Sequence, residues 1–156
     1  MTLIEKAISG ARYQPAPTTP EATLEEFYAA FNGRDIALMA QNWSDGAETS
    51  MSNPLGGIRR GWDDIKAGYH RLFTGPARVY VEFYDYSVHE DGDLFYAVGR
   101  ERGDFQLGET RVELAIRTTR IYQRSNGRWR QVHHHGSIDD PVLLARYQTA
   151  VLQAKA

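Results

Sequence analysis

The run of three histidines at His133–His135 is the part of the chain best suited to chemistry. An imidazole can bind a metal ion, and its pKa near neutrality lets it exchange protons in acid–base catalysis. The run lies in the stretch 127–138, which follows the turn dipeptide Asn126-Gly127 and ends before Asp139-Asp140-Pro141. The stretch is therefore predicted to be a strand, and its mixture of Trp and His is typical of a strand that lines a cavity.

Alternation along a strand divides the three histidines between two faces. In one register His134 and Val132 face a pocket, and His134 is then the candidate catalytic acid or base. A slip of one residue exchanges the faces and places His133 and His135 in the pocket instead. Those two histidines could supply two metal ligands, but no spacing in the chain nominates a third. We therefore predict neither a metal site nor another cofactor.

Length and composition limit the classes of function. A chain of 156 residues predicts one domain, with a core large enough to contain a cavity. The formal net charge is −2 and the arginines are scattered among acids, so we expect no nucleic-acid partner. The absence of cysteine excludes disulfides and thiolate chemistry. No apolar run approaches the ~20 residues that span a membrane, and the first residues lack a signal-peptide pattern. We expect a cytoplasmic protein with no membrane partner.

Apolar residues recur at helical spacing in the first half of the chain. Thr19-Pro20 combines an N-cap with proline at the first helical position, and Asp35 provides a second N-cap. Tyr28 and Tyr69 lie on the core-facing stripes of two of these segments. The first helix is predicted to start at Pro20 and to end at Gly33, and the second to follow the Asp35 cap with Trp43 on its apolar face. A third is predicted between Gly61 and Gly75, and a short strand at 47–52.

From Arg78 onward the apolar period changes from 3.6 to 2, which predicts strands. Glycine-containing turns at 90–93 and 125–127 connect them, and Gly103 and Gly108 bracket a predicted bend or bulge. A final helix starts at Asp140-Pro141. Helices followed by four long antiparallel strands predict an α+β fold, with the helices on the concave face of a strongly curved sheet. Such an arrangement leaves a cone-shaped hollow, and a small molecule would bind there.

Residues 1–19 are predicted to be an N-terminal extension. A helical turn or two is expected around Leu3–Ile8, followed by an irregular proline-rich stretch at 14–20. We expect a flexible tail, and the alternative is an arm that packs on a partner subunit. Residues 20–138 are assigned to the cone domain and residues 139–156 to a C-terminal helix.

Three segments together resemble a known superfamily. They are Phe27–Asp35, then Ser52–Gly57 leading to Gly61, then Asn126–Trp129 with the histidine strand. In this order and spacing they resemble the nuclear transport factor 2-like superfamily, in particular its SnoaL-like proteins, over roughly residues 20–138. The resemblance implies a cone-shaped, cystatin-like barrel and a homodimer formed through the outer face of the sheet. It does not imply one function, because this fold hosts isomerases, cyclases, dehydratases and binding domains.

Comparison with the ketosteroid isomerases of that superfamily argues against their chemistry. The position of their catalytic base is Asn53 here, and an amide cannot abstract a proton at neutral pH. Their oxyanion tyrosine corresponds to Phe27, with Tyr28 one residue away. Their second oxyanion acid would lie near Thr118–Tyr122, and this segment contains no carboxylate.

The closing strands also resemble the association domain of calcium/calmodulin-dependent protein kinase II. That resemblance implies pocket arginines at Arg100 and Arg120, although a further pocket arginine of the domain corresponds to Gly136. Two sheltered guanidiniums would bind an anion such as a carboxylate. Alternatively, Arg100 and Arg120 pair with acids on neighbouring strands.

The sequence therefore predicts a pocket for a small polar or acidic organic molecule. Turnover by isomerase-, lyase- or cyclase-like acid–base chemistry is one hypothesis, and a non-catalytic association or ligand-sensing domain is the alternative. Whether the protein is an enzyme stays open at this point. The predicted ligand-binding residues are Arg100, Arg120, Asn53, Tyr28, Tyr69, Tyr122 and Val132, with His134 as the catalytic candidate.

Overall fold

In the computed structural model, which describes residues 6–155, four helices pack on one six-stranded sheet. None of the helices in this described part of the chain is long and apolar enough to cross a membrane. The helices are α1 (Pro20–Asn32), α2 (Ile36–Asn42), α3 (Trp62–Thr74) and α4 (Pro141–Ala154). The strands are β1 (Ser50–Ser52), β2 (Arg59–Arg60), β3 (Arg78–Asp91), β4 (Leu94–Leu107), β5 (Thr110–Ser125) and β6 (Arg128–Ser137).

The sheet is open and has the strand order β2-β1-β6-β5-β4-β3. The four long strands are antiparallel neighbours, while short β1 pairs with β6 in parallel. Phe27 of α1, Tyr69 of α3 and Tyr147 of α4 line a cavity together with strand residues, so these helices cover the inner face. The predicted α+β cone is confirmed. The two-residue strand β2 was not predicted.

Capping side chains set the start of three helices, as the sequence predicts. Thr19 and Asp35 each accept a hydrogen bond from the backbone N–H three residues further on, at 3.2 and 3.0 Å. Asp140 accepts two such bonds at the start of α4. These contacts satisfy N–H groups that lack a partner in the first turn of a helix. They fix where α1, α2 and α4 begin relative to the sheet.

Two β-bulges interrupt the long strands. In β6 Val132 has no partner on β5, because Ile121 pairs with His133 and Tyr122 pairs with Gln131. In β3 the register shifts between Tyr84 and Ser87. The bulge predicted near Gly103 and Gly108 is wrong, since β4 pairs with both neighbours without a shift there. Gly103 instead permits close approach of the backbone, because a Cβ at that position would overlap the carbonyl oxygen of Tyr80.

The described part of the N-terminal extension, Lys6–Thr19, packs on its own subunit, and we call it the N-terminal arm. Ile8 exchanges two backbone hydrogen bonds of 2.8 Å with Phe83, so it extends the edge of the sheet beside β3. The Gly10 N–H donates to Glu25 of α1 at 2.9 Å. Ile8 forms a β-bridge with Phe83, so the predicted helical turn is not found at this residue. The remainder of that predicted turn, Leu3–Glu5, lies outside the described residues.

Candidate functional site

A cavity of about 610 Å³ lies between the inner face of the sheet and helices α1, α3 and α4. We call it the cone cavity. Its volume falls within the range of roughly 300–1,000 Å³ that is usual for small-molecule sites. The walls are largely apolar and include Phe27, Met51, Val81, Phe105, Leu114 and Ile116. The polar side chains Glu101, Arg120, Tyr69 and His134 interrupt this apolar lining.

Arg120 lies at the deep end of the cone cavity and is 2% exposed. Its Nη1 donates to Oε1 of Gln131 at 2.9 Å, and its Nε donates to the Tyr28 hydroxyl at 3.3 Å. The guanidinium carbon lies 3.6 Å from the centre of the Phe27 ring, a cation–π contact. Arg120 therefore lies on the inner face of the sheet and its guanidinium is held on several sides, while its predicted role in ligand binding stays a prediction.

Glu101 is the acid that accompanies Arg120. Its Oε2 lies 3.5 Å from Arg120 Nη2, and its Oε1 accepts a 2.5 Å hydrogen bond from the Thr118 hydroxyl. The carboxylate is buried, so the ion pair is screened little by water. Pairing of Arg120 with an acid on a neighbouring strand is the alternative that the sequence left open, and Glu101 of β4 is that acid. Glu101 shares strand parity with Phe95, Ala97 and Phe105, all of which are buried.

His134 is the neighbour of Arg120 across the β5–β6 pair, and both side chains line the cone cavity. Burial lowers the pKa of His134 well below its usual value, and the positive charge of Arg120 lowers it further. The ring is therefore neutral at pH 7 and offers one donor and one acceptor nitrogen.

Three buried tyrosines surround Arg120, but only Tyr69 lines the cone cavity. Burial raises the pKa of Tyr69 to about 12, so its hydroxyl stays protonated and can donate a hydrogen bond. Tyr28 and Tyr122 lie behind the lining, where burial also raises the pKa of each hydroxyl well above its usual value. Neither of these two predicted ligand-binding residues lines the cone cavity. Tyr28 accepts from Arg120, and Tyr122 is linked to it through Asn42 and Gln131.

A buried polar network, centred on Asn42, supports the deep end. Asn42 Oδ1 accepts from the Tyr122 hydroxyl at 2.9 Å and from Gln131 Nε2 at 3.3 Å. Its Nδ2 donates to Glu26 at 3.1 Å, and Glu26 pairs with Arg128 at 2.8 Å. Because Gln131 accepts from Arg120, this network holds the guanidinium from behind. Sequence reasoning missed Asn42, Glu26 and Gln131.

Asn53 lies at the edge of the cone cavity, as predicted, but its side chain has a local structural role. Its Oδ1 accepts a 2.9 Å hydrogen bond from the backbone N–H of Leu55. This contact stabilises the turn at Pro54-Leu55 in the way that is usual for asparagine. The amide therefore holds the loop that borders the cavity.

Arg100 and Val132 do not line the cone cavity. Arg100 is exposed on the outer face of the sheet and pairs with Asp85, with 3.1 Å between Nε and Oδ2. Because side chains alternate along β4, Glu101 points inward and Arg100 points outward. The pocket position predicted for Arg100 is therefore wrong. Val132 occupies the bulge of β6. The extra residue lets Gln131 and His134 both face inward, which neither predicted register allowed.

His133 and His135 project from the outer face, with ring centres 6.4 Å apart. His133 Nδ1 lies 2.7 Å from the Ser50 hydroxyl, which gives that nitrogen a partner in the neighbouring strand β1. Within residues 6–155, no group of three or more His, Cys, Asp or Glu side chains could hold a metal ion. His133 and His135 are therefore kept apart from the cone cavity by the sheet.

Charged side chains surround the mouth of the cone cavity. Arg59 pairs with Asp64 at 2.9 Å. Arg71 and Lys155 also line the opening and are exposed, and neither has an ion-pair partner among the described residues. The mouth thus carries more positive than negative charge, while the charges at the deep end balance.

Comparisons with known proteins agree with this architecture. The model of the SnoaL-like domain family matches residues 21–141. A putative calcium/calmodulin-dependent protein kinase type II association domain from Thiobacillus denitrificans has a similar structure, with a TM-score of 0.66 and 28% identity. The match covers 81% of this chain and 100% of that one. No curated protein matches the chain.

Two further solved structures share the fold at lower identity. One is a putative dehydratase of the NTF2-like family from Streptomyces avermitilis, with a TM-score of 0.65 and 20% identity over 74% of this chain and 89% of that one. The other is an uncharacterised protein with a cystatin-like fold from Caulobacter vibrioides. Its TM-score is 0.64 and its identity 20%, over 85% of this chain and 94% of that one.

Proposed function

Because the chain belongs to the SnoaL-like domain family, we propose that its cone cavity binds a small organic molecule through a polar oxygen at the deep end. The observation that carries this proposal is the side chain of His134, which is neutral and lines the cone cavity together with Arg120 and Tyr69. A few polar groups that converge on an otherwise apolar cavity are typical of a small-molecule site.

The chemistry of the deep end favours a carbonyl or hydroxyl group. Arg120 has unused N–H donors, and Tyr69 adds a protonated hydroxyl. Glu101 already balances the charge of Arg120, so a second carboxylate beside it would meet repulsion and a desolvation cost. A neutral oxygen therefore fits the deep end better than the carboxylate that was predicted to bind between Arg100 and Arg120.

We further propose that the bound molecule undergoes acid–base turnover of the isomerase or lyase type. Neutral His134 would accept a proton from the carbon beside a carbonyl, and Arg120 and Tyr69 would donate hydrogen bonds to the oxygen as negative charge develops there. In an isomerisation, His134 then returns the proton to a different carbon. In an elimination, a leaving group departs and the proton stays with the imidazole until solvent removes it.

Deuterium exchange tests this proposal. A panel of small cyclic ketones in D2O is followed by NMR, since exchange at the carbon beside the carbonyl reports proton abstraction directly. We expect the wild type to accelerate exchange for at least one ketone, and His134→Gln to slow it roughly 100-fold or more. Leu114→Trp, which fills the cavity, should remove the acceleration. Equal rates for the wild type and His134→Gln would exclude His134 as the base.

The outer face of the sheet supports a second proposal, a homodimer. We define the outer-face patch as four residues on the adjacent strands β4 and β5, namely Tyr96, Val98, Thr119 and Ile121. Tyr96 is 39% exposed and Val98 is 42% exposed. Exposed apolar side chains grouped on a sheet are typical of an interface. The relative from Thiobacillus denitrificans is named an association domain, which favours a role in assembly for this chain too.

Light scattering tests the dimer. Val98→Arg should convert a dimer into a monomer, because it places a charge in the centre of the outer-face patch. Val142→Arg is the matched control, since Val142 is an exposed valine on α4. A wild type that is monomeric at micromolar concentration would contradict the proposal.

A further inference from the structure

We infer that the ligand carries an anionic group, which Arg71 and Lys155 bind at the mouth of the cone cavity while a neutral oxygen lies at the deep end. This inference rests on the proposed function, because it describes the ligand of the same cavity. The negative charge of the ligand is thereby placed at the mouth, which no sequence pattern indicated as a binding site.

The deep end does not favour an anion. Arg120 is the only cation of the described residues that lines this end, and Glu101 pairs with it at 3.5 Å. Burial keeps His134 neutral, so it adds no positive charge. An anionic group placed here would lose its water and would lie beside a buried carboxylate.

The walls between the two ends exclude charge as well. Phe105, Leu114 and Ile116 are buried on the inner face of the sheet, and Leu72 and Val151 line the cavity from α3 and α4. A ligand that fills this part of the cavity must present an apolar body, such as a fused ring or a branched hydrocarbon. Its charged group then has to lie where water reaches it.

The mouth meets this requirement. Arg71 lies in the last turn of α3 and Lys155 caps α4, so two different helices bring two cations to one opening. Arg59 is already paired with Asp64, which leaves Arg71 and Lys155 as the cations of the described residues available there. A carboxylate, sulfonate or phosphate at the mouth would contact both and remain partly hydrated.

The ligand class that follows is an amphiphile with an apolar ring or branched body, an anionic group at one end and a carbonyl or hydroxyl at the other. The apolar body gives affinity, and the two ends fix its direction in the cavity. If the proposed turnover takes place, the carbon beside the neutral oxygen is the one that faces His134. The anionic group remains at the mouth and takes no part in proton transfer.

Two fluorescent probes with one ring system test the inference. Anilinonaphthalene sulfonate is an anion, and phenylnaphthylamine is its neutral counterpart without the sulfonate. We expect the wild type to bind both, and the double variant Arg71→Gln/Lys155→Gln to bind the anionic probe roughly tenfold more weakly, with the neutral probe unchanged. Two partly hydrated charge contacts lead us to expect a loss of this modest size. The difference should shrink as salt is added.

The matched control removes the same charge from the same two helices at positions away from the mouth. Lys66→Gln/Arg146→Gln changes one exposed cation of α3 and one of α4, neither of which lines the cone cavity. It should leave the affinity for both probes as in the wild type. An equal loss of anion affinity in this control, or no loss in Arg71→Gln/Lys155→Gln, would overturn the inference.

A variant with a filled cone cavity distinguishes failure of the proposed function from failure of the inference alone. Leu114→Trp fills the cone cavity and should weaken the binding of both probes, and the smaller change Leu114→Phe replaces it if the first variant does not fold. If both probes bind the filled variant as they bind the wild type, they do not occupy the cavity, and the proposed function fails together with the inference. If the filled variant loses both probes but the mouth variant loses neither, only the inference fails.

Discussion

Glu101 and Arg120 form an ion pair inside the cone, with 3.5 Å between Oε2 and Nη2 and both side chains buried. They come from adjacent strands, β4 and β5, and each has a second anchor. Thr118 donates to Glu101, and Gln131 accepts from Arg120. The pair therefore gives the cone cavity a polar deep end whose charges are balanced before any ligand binds.

Changing both members of this pair should cost less stability than the two single changes added together. Arg120→Met leaves the Glu101 carboxylate buried and unpaired, and we expect it to lower the free energy of unfolding by about 3–5 kcal/mol. Glu101→Gln/Arg120→Met should cost clearly less than the sum of the two single changes, because no buried charge remains. Urea denaturation of the four proteins measures this coupling. Additive single effects would show that the two side chains do not interact.

The low pKa of His134 predicts a specific dependence of stability on pH. In the unfolded chain the imidazole takes up a proton below about pH 6.5, whereas the buried ring resists protonation. The unfolded state therefore binds more protons in this range, and stability is lost as pH falls below 6.5. Above that pH, both states are neutral at this position and the contribution is constant.

The measurement compares the wild type with His134→Gln, which cannot take up the proton. As the pH falls from 6.5, the stability of the wild type should decline relative to that of the variant by up to about 1.4 kcal/mol per pH unit. His70→Gln, which removes an exposed histidine of α3, serves as the control variant. A constant difference between the wild type and His134→Gln from pH 7 to pH 5 would refute the low pKa.

The bulge at Val132 predicts that this residue can be deleted without exchanging the faces of β6. Gln131 and His133 already pair with consecutive residues of β5, so the shortened strand keeps Gln131 and His134 inside. We expect the deletion to cost about 1–3 kcal/mol, with cooperative unfolding retained. Deletion of Ile116, in the regular part of β5, should instead exchange the faces and prevent folding. Equal damage from both deletions would contradict the bulge.

The close approach of Gly10 to helix α1 holds the N-terminal arm in place. Its φ is +89°, and a Cβ at this position would overlap the backbone nitrogen of Ala29. Gly10→Ala should therefore displace the arm, at a strain cost on the order of 1–3 kcal/mol. Trypsin cleavage after Arg12 should become faster. Gly92→Ala is the control, since its φ is also positive but the added Cβ meets nothing within 4 Å. Unchanged cleavage in Gly10→Ala would show that the arm is not docked through this residue.

The fold was predictable because its signals are local. The caps at Thr19, Asp35 and Asp140 fix the starts of three helices, and the turn at 125–127 fixes the last hairpin. The interior of β5 also follows simple alternation, with Thr118, Arg120 and Tyr122 all buried. In each case neighbouring residues alone determine the outcome.

The wrong assignment of Arg100 has a physical cause in the outer face of β4. Tyr96 and Val98 are apolar and exposed, while Phe95 and Ala97 are apolar and buried, so both faces of the strand look alike in the sequence. Without a polar face the alternation does not show which side is inward. The inward turn of Glu101 becomes visible only once Phe105 is known to be in the core.

The support of Arg120 could not be predicted because it joins distant parts of the chain. Asn42 contacts Tyr122 and Gln131, which are 80 and 89 residues away. The bulge at Val132, which turns Gln131 inward, has no glycine or proline to mark it. Only the pairing of β5 with β6 shows the extra residue.

A crystal structure of the protein with a bound cyclic ketone tests the central claim most directly. The ketone is chosen as one that binds the wild type but not Leu114→Trp, the variant with the filled cone cavity. The proposed function predicts that its oxygen lies within hydrogen-bond distance of Arg120, Tyr69 or His134 at the deep end. A ketone found instead in the shallow groove between β5 and α4, near Thr110 and Thr149, would contradict it.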